Sequence, residues 1–303
     1  MKAIFRKYKS DDFIRIRDFL VSTYQKFGKG YNWTIERWNF SYSMARTMNG
    51  VSIQQWEDSI GIWESNGNIV GIVNSEGEDR GEEFFQVGEM NTPKDTLEEM
   101  FDFTEKNLGI EKEGKRFVQL RIPEGDKERE FIASSRGYVK QQWNETTSTL
   151  AMAGMQSVNL PKGFCFKNGY ELSDTIKGTA HAKAFGYIDK DIYVKRAPLS
   201  YAALRKTPDY RADLDLGIVS DTGEIVSFCT MWYDSTNKIG ILEPVGTIHE
   251  YRRMGLGRAV IYEALNRIAK EGAIRAYVGS DQDFYLALGF KKDFISNIWS
   301  KNL

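Results

Sequence analysis

Two stretches of this chain, one in each half, follow the same pattern, and that pattern limits the folds open to it. "IGIWESNGNIVGIV" (60–73) and "LGIVSDTGEIVSFC" (216–229) are each an alternating strand, a glycine-bearing turn and a second strand headed by Ile-Val. Each reads as a β-hairpin. Further on, "SSRGYVK" (134–140) resembles "LALGFKK" (286–292), and the turn glycines Gly67 and Gly223 precede Gly137 and Gly289 by similar intervals. Between these landmarks each half reads strand, helix, strand. The first half gives "EEFFQVGE", "TLEEMFDFTEKNL" and "RFVQLRI"; the second gives "KIGILEPVGT", "GLGRAVIYEALNRIAKEG" and "IRAYVGS". A chance match of generic hairpins is the competing explanation. The pattern predicts two copies of one α/β unit. The small, Pro/Gly-punctuated stretch "LAMAGMQSVNLPKGF" marks the boundary, which places the units at 1–150 and 163–303.

Composition removes several function classes. The 303 residues are 41% hydrophobic and 27% charged with a net charge of −1, so no nucleic-acid footprint is present. No apolar run is long enough to span a bilayer. The opening "MKAIFRKYKSDD" has no apolar core after it, so no signal peptide is expected. Cys165 and Cys229 are the two cysteines and lie far apart, which makes a reducing cytoplasm the default location. With only His181 and His249, and no Cys-x-x-Cys, no metal site is expected. No Walker A motif and no Gly-x-Ser-x-Gly elbow occurs. The first 150 residues are net acidic and the remainder net basic.

The basic half carries "HEYRRMGLGRAVIYEALNRIAKEGA" (249–273). Val260, Ile261, Ala264, Leu265, Ile268 and Ala269 recur at helical spacing, and Gly272 is placed to end the helix. A strand precedes it, so Arg252 to Gly257 form a loop running into a helix N-terminus. The first N–H groups of such a helix lack internal partners, and its dipole favours an anion. Gly255 and Gly257 leave space for one, and Arg252, Arg253 and Arg258 add positive charge. Three readings compete. One is a bare strand-to-helix turn with solvated arginines. The second is a dinucleotide loop, although Val260 breaks the third glycine of Gly-x-Gly-x-x-Gly. The third is a pyrophosphate loop for coenzyme A.

"RRMGLGRA" resembles the Arg/Gln-x-x-Gly-x-Gly/Ala signature of the GNAT N-acetyltransferase superfamily. "FYLALGF", with Tyr285 ahead of Gly289-Phe290, is similar to the short tyrosine-bearing helix that follows the next strand in that family. The resemblance spans nearly all of 165–303 and reaches 1–150 only as a degenerate copy, as in tandem GNAT proteins. It implies a mixed α/β fold of two GNAT-like domains, each a twisted mixed sheet flanked by helices. It also implies acetyl-CoA as co-substrate. The pantetheine would lie along Val245, Gly246 and Thr247, and the pyrophosphate on the loop formed by Arg252, Arg253, Met254, Gly255, Leu256, Gly257 and Arg258. In the first half the aligned positions hold Asp95, Glu98 and Glu99. Those carboxylates would occupy the helix end and repel a pyrophosphate, so 1–150 is expected to lack a cofactor site and to pack against or wall a substrate cleft.

Acetyl transfer to an amine requires a neutral nitrogen, and a free alkyl ammonium has a pKa of about 10.4. The family resemblance makes Glu243, two residues before Val245, a base acting directly or through water; the bland alternative is a carboxylate at the strand rim. Tyr285 is the corresponding acid for the sulfur, or else a core aromatic. His249 reads as a loop residue and Cys229 as packing. The aromatic run "YNWTIERW" (31–38) reads as packing before cleft lining, and the acidic run 76–83 as a solvated hairpin end. The function expected is N-acetylation of a small-molecule amine by a cytoplasmic enzyme that binds neither nucleic acid nor membrane. The competing class is a coenzyme A-binding sensor or interaction module. Nothing in the sequence fixes the acceptor or the oligomeric state.

Overall fold

A computed structural model describes residues 2–77, 81–112, 114–152 and 154–303. The chain divides into two compact units: residues 1–146 with 294–303, and residues 147–293. The division expected from sequence, 1–150 and 163–303, differs in two respects. The 150–163 stretch falls inside the second unit, and the last ten residues belong to the first. That last strand is a non-local pairing, and its own alternation does not encode which neighbour it joins.

The first unit comprises β1 (Ile4–Lys7), α1 (Asp12–Phe27), α2 (Ile35–Phe40), α3 (Arg46–Asn49), α4 (Ile53–Asp58), β2 (Gly61–Ser65), β3 (Asn68–Ser75), β4 (Glu82–Val87), α5 (Lys94–Asn107), β5 (Ile110–Lys112), β6 (Lys115–Pro123), α6 (Lys127–Ser135) and the start of β7 (Val139–Ala151). The expected hairpin is present: β2 and β3 pair antiparallel, with Asn66 and Gly67 both at positive φ between them, as a two-residue turn of this handedness requires. β4 and β6 run parallel, with α5 as the crossover. The C-terminal strand pairs antiparallel with β6 from Ser296↔Pro123 to Asn302↔Phe117. Trp33 and Trp38 are buried with Phe13, Trp56 and Phe84, so the aromatic run is core. Of the acidic run 76–83, residues 78–80 lie outside the described residues.

The second unit takes the end of β7 and adds β8 (Phe164–Asn168), α7 (Asp174–Ala184), α8 (Asp191–Leu204), β9 (Asp215–Ser220), β10 (Ile225–Asp234), β11 (Ile239–Thr247), α9 (Leu256–Lys270), β12 (Arg275–Val278), α10 (Asp283–Ala287) and the first residues of β13 (Lys291–Asn302). Its strand order is β8–β9–β10–β11–β12–β7, antiparallel except for β11 with β12. β9 and β10 are buried almost throughout, because helices cover both faces. On one face Leu216, Ile218, Val226 and Met231 meet the α9 stripe of Val260, Ile261, Ala264, Leu265 and Ile268. On the other, Val219, Ile225 and Phe228 meet Ala180 of α7. α9 ends in a Schellman motif: Ala273 N–H reaches the Ile268 carbonyl at 3.1 Å and Gly272 N–H that of Ala269 at 3.0 Å. No helix of the described residues is long and apolar enough to cross a membrane.

Candidate active site

The site begins with a strand that loses one neighbour. β11 pairs with β12 only from Ile239↔Arg275 to Ile241↔Tyr277. Beyond that, its pairs are with β10 alone: Leu242↔Met231, Val245↔Cys229, Gly246↔Phe228 and Thr247↔Ser227. Between these pairs the register shifts, and the extra length sits at Glu243 and Pro244. A bulge of this kind bends the strand and re-aims its side chains. The Trp232 indole donates to the Glu243 carbonyl at 2.7 Å and holds the bulge. The edge of Val245–Thr247 away from β10 therefore has no strand beside it among the described residues, which leaves room for an extended ligand.

The strand leads into a single helical turn at His249–Tyr251, with His249 exposed. α9 starts at Leu256, so Leu256 and Gly257 belong to its first turn, and the connecting loop is Arg252–Gly255. Gly255 caps the helix at φ 82, a left-handed conformation that glycine adopts without strain. A Cβ on Gly257 would stand 3.1 Å from the Phe284 ring and 3.2 Å from Thr247 Oγ1, so a larger residue would crowd the cradle. Leu256 is fully buried and offers the site only its backbone. Met254 is exposed. Arg252 donates to the carbonyls of Thr247 (3.1 Å) and Ala184 (3.3 Å), which ties the strand end to the end of α7. Arg253 and Arg258 are exposed and form no ion pair among the described residues. Two exposed arginines thus flank the first turn of α9, where an anion is favoured.

Tyr285 lies mostly buried on α10, its ring 5.1 Å from that of Phe284 and 6.0 Å from that of Phe290. Burial pushes its phenol above the ordinary 10.0, and the charges of Cys229 and Glu243 act in the same direction. It remains an O–H donor at neutral pH. Glu243 is half-buried and close enough for its charge to act on Tyr285, Cys229 and Tyr201. Glu243 and Tyr285 thus lie in one electrostatic environment in the second unit.

A second group was not legible in the sequence. Asp215 is fully buried and accepts from the Lys177 ammonium, from Thr230 Oγ1 at 2.6 Å and from the Tyr210 hydroxyl at 2.7 Å. Burial lowers the Lys177 pKa, and Asp215 opposes that shift. One turn along α7, His181 packs against the rings of Phe185 (4.3 Å) and Phe228 (5.8 Å), with its Nδ1 on the Tyr187 hydroxyl. The edge of Tyr201 meets it at 5.9 Å. No motif flags these residues, because they are gathered from distant segments.

In the first unit the corresponding connection, residues 88–93, enters α5 through Pro93. Of the three carboxylates expected at that helix end, only Asp95 lies in the first turn. Glu98 is bound instead by Arg136 at 2.5 Å, and Glu99 by Lys2 and the Trp63 indole, each at 3.1 Å. An open depression of about 630 Å³ borders this helix end, lined by residues that include Lys29, Tyr31, Met90, Lys94, Asp126 and Lys127.

Residues 183–290 match the acetyltransferase (GNAT) family. None of the curated proteins matches the sequence. Among solved structures, a GCN5-related N-acetyltransferase from Sphaerobacter thermophilus is similar at TM-score 0.63 and 15% identity, over 99% of this chain and 95% of its own. A tandem GNAT protein from the clavulanic acid biosynthesis pathway gives 0.60 at 12% identity, over 99% and 98%. The glucosamine N-acetyltransferase region of a fungal multi-domain β-N-acetylglucosaminidase gives 0.56 at 14% identity, over 99% of this chain and 38% of that one. The chain therefore has the GNAT fold, and its likeness to the GNAT family in sequence lies at residues 183–290, within the second unit.

Burial, followed by the charge of Lys177, holds the His181 imidazole down at about 3, against an ordinary 6.5. Between those values the unfolded chain binds a proton that the folded chain refuses, so stability is full above 6.5 and falls as the pH drops towards 3. At pH 5 the loss from this one site is about 2 kcal/mol. Melting temperatures at pH 7 and pH 5 should therefore converge in His181→Gln relative to wild type. An equal acid-induced drop in both proteins would show that His181 does not carry the effect.

Proposed function

We propose that the protein transfers acetyl from acetyl-CoA to the primary amine of a small molecule by direct attack. The observation that carries this reading is the presence, in one unit, of a strand edge without a neighbouring strand among the described residues that runs into a glycine-lined helix N-terminus flanked by exposed arginines. The Val245–Thr247 edge suits the amides of a pantetheine arm. The amides of Leu256 and Gly257, with Arg253 and Arg258, suit a pyrophosphate, and charge-assisted bonds of this kind contribute about 1.5–3 kcal/mol each.

The residues then divide the proton work. At pH 7 an alkyl amine of pKa about 10.4 is neutral in fewer than about one molecule in a thousand. Glu243 accepts the ammonium proton. The freed nitrogen lone pair forms the new C–N bond, the C–S bond breaks and Tyr285 gives its proton to the departing sulfur; the second proton, which the nitrogen sheds as it becomes an amide, leaves through solvent and restores the Tyr285 phenol. The preference for a small amine over a protein lysine rests on likeness of fold alone. The direct test is thiol release from acetyl-CoA across a panel of small primary amines. Acetyl-CoA binding without thiol release on any of them would point to a coenzyme A-binding module.

Three results are expected. Gly257→Glu puts bulk and negative charge into the cradle and should abolish acetyl-CoA binding in a folded protein; calorimetry finding wild-type affinity would refute the loop assignment. Titration should saturate at one coenzyme per chain, and a stoichiometry of two would place a second site in the first unit. Tyr285→Phe keeps the ring and its packing, so coenzyme affinity should hold while kcat falls by roughly 10²–10⁴-fold. Full kcat would remove Tyr285 from the chemistry.

A further inference from the structure

The first unit has a strand that loses a neighbour in the same way. β4 pairs with β6 only from Glu82↔Gln119 to Phe84↔Arg121, while its pairs with β3 run on to Val87↔Gly71. The Gly88 N–H reaches the Val70 carbonyl on β3 at 2.9 Å. Backbone groups of successive residues point to opposite edges of a strand. The N–H and C=O of Val87 and the C=O of Phe85 therefore point to the edge that β6 has left. In the second unit the corresponding edge, Val245–Thr247, is the one with room for an extended ligand.

In the first unit that edge is already taken. The Asn32 carboxamide accepts from the Val87 N–H at 2.9 Å and donates to the Val87 C=O at 2.8 Å. Two bonds exchanged with a single residue are what a neighbouring strand, or the amide of an extended ligand, would make. The Phe85 C=O accepts from the Arg129 guanidinium at 3.4 Å. Both side chains are buried and held in place. Asn32 also donates to Thr23 Oγ1 on α1 at 2.9 Å, and the next residue, Trp33, gives its N–H to the Gln86 side chain at 2.8 Å. Arg129 donates to Asp126 and to the Tyr31 hydroxyl, each at 2.7 Å. A tethered amide is present at an effective concentration that a free ligand offering the same two bonds does not match.

We propose that Asn32 is a built-in substitute for a ligand's amide. The first unit keeps a groove suited to an extended, amide-bearing chain such as a pantetheine arm, and the Asn32 side chain fills it. This seal, and not acidic charge at the start of α5, keeps coenzyme A out of the first unit. Charge is the weaker cause, because Asp95 is the one acidic residue in the first turn of α5 and Lys94 precedes it. The comparison with coenzyme A rests on the site proposed above for the second unit; the Asn32–Val87 pairing does not.

Hydrogen exchange and NMR shifts of the Val87 amide test this in the full chain, with pantetheine and acetyl-CoA as probes. In wild type the Val87 amide should exchange slowly without ligand, and neither probe should shift it. In Asn32→Ala its exchange should quicken by about tenfold or more, and pantetheine should then shift it. Asp95→Asn removes only the charge and should leave Val87 protected and unshifted. Asn32→Asp keeps the volume and loses the donor to the Val87 C=O, so pantetheine should reach Val87 there too, even if the alanine variant does not fold. Four results would each overturn the inference: a shift of Val87 by pantetheine in wild type, a Val87 still protected in folded Asn32 variants, a Val87 that exchanges freely in them yet ignores pantetheine, or entry of acetyl-CoA into the first unit of Asp95→Asn. The amides of Val245 and Thr247 report on the second unit separately. No shift there with acetyl-CoA in wild type overturns the coenzyme site of that unit and leaves the Asn32 inference to be decided at Val87.

Discussion

The second unit depends on one buried carboxylate. Asp215 is fully buried, and a lone charge in such a place would destabilise the fold by several kcal/mol. It is held by donors from three places: Lys177 on α7, Thr230 on β10, and Tyr210 in the segment before β9. Removing any one leaves charge or dipole unmet in a low-dielectric interior, so α7 cannot slide along the sheet without breaking the set. The position of α7 in turn decides what reaches the strand end. Its last residue, Ala184, offers its carbonyl to Arg252, and a Cβ on Gly246 would come within 3.1 Å of Ala184 and 2.4 Å of the Phe228 ring. A pair of charges far from solvent thus sets the geometry of a surface loop.

The open strand edge follows from the same economy of hydrogen bonds. A strand inside a sheet satisfies its backbone on both sides, and β11 does so only as far as Ile241. The bulge at Glu243–Pro244 turns the rest of the strand while its pairs to β10 continue through Thr247. Residues 245–247 are partly exposed, so water meets the unpaired groups until a ligand replaces it. The strand then hands the chain to α9, whose N–H groups are unmet for a different reason: they are the first turn of a helix. Two kinds of unsatisfied backbone, one extended and one helical, are joined by eight residues or so of chain. A ligand with amides at one end and phosphates at the other matches that order.

What could be read in the sequence was local. The hairpins at Gly67 and Gly223, the α9 stripe, its Gly272 terminus and the strand–loop–helix order all depend on near neighbours in the chain. Where α9 begins was less legible, since Gly255 caps the helix and Gly257 lies within it. Nothing in the sequence marks Lys177 and Asp215 as a buried pair, because such charges are almost never fully buried unless paired, and the pairing is non-local. Glu98 and Glu99 were misplaced for a related reason: their partners, Arg136, Lys2 and Trp63, are remote in sequence. The strand from Phe294 onward has the same character, since its alternation sets which side chains face in and leaves its partner β6 undetermined.

Two buried phenols of the second unit belong to opposite layers. Tyr285 packs in the apolar layer formed with α9. Tyr201 packs with Lys177 and His181, in the layer formed by α7 and α8. A continuous sheet separates two such layers, because its side chains alternate between the two faces. Where β11 and β12 part, that barrier ends. Glu243, on the bulge at that place, acts electrostatically on both phenols. Direct acetyl transfer requires a proton to leave the nitrogen and a proton to reach the sulfur, on two sides of one carbonyl carbon. On the function proposed above, a reaction centre at this place draws on a carboxylate whose charge reaches both layers. A carboxylate on an unbroken strand would face one layer only.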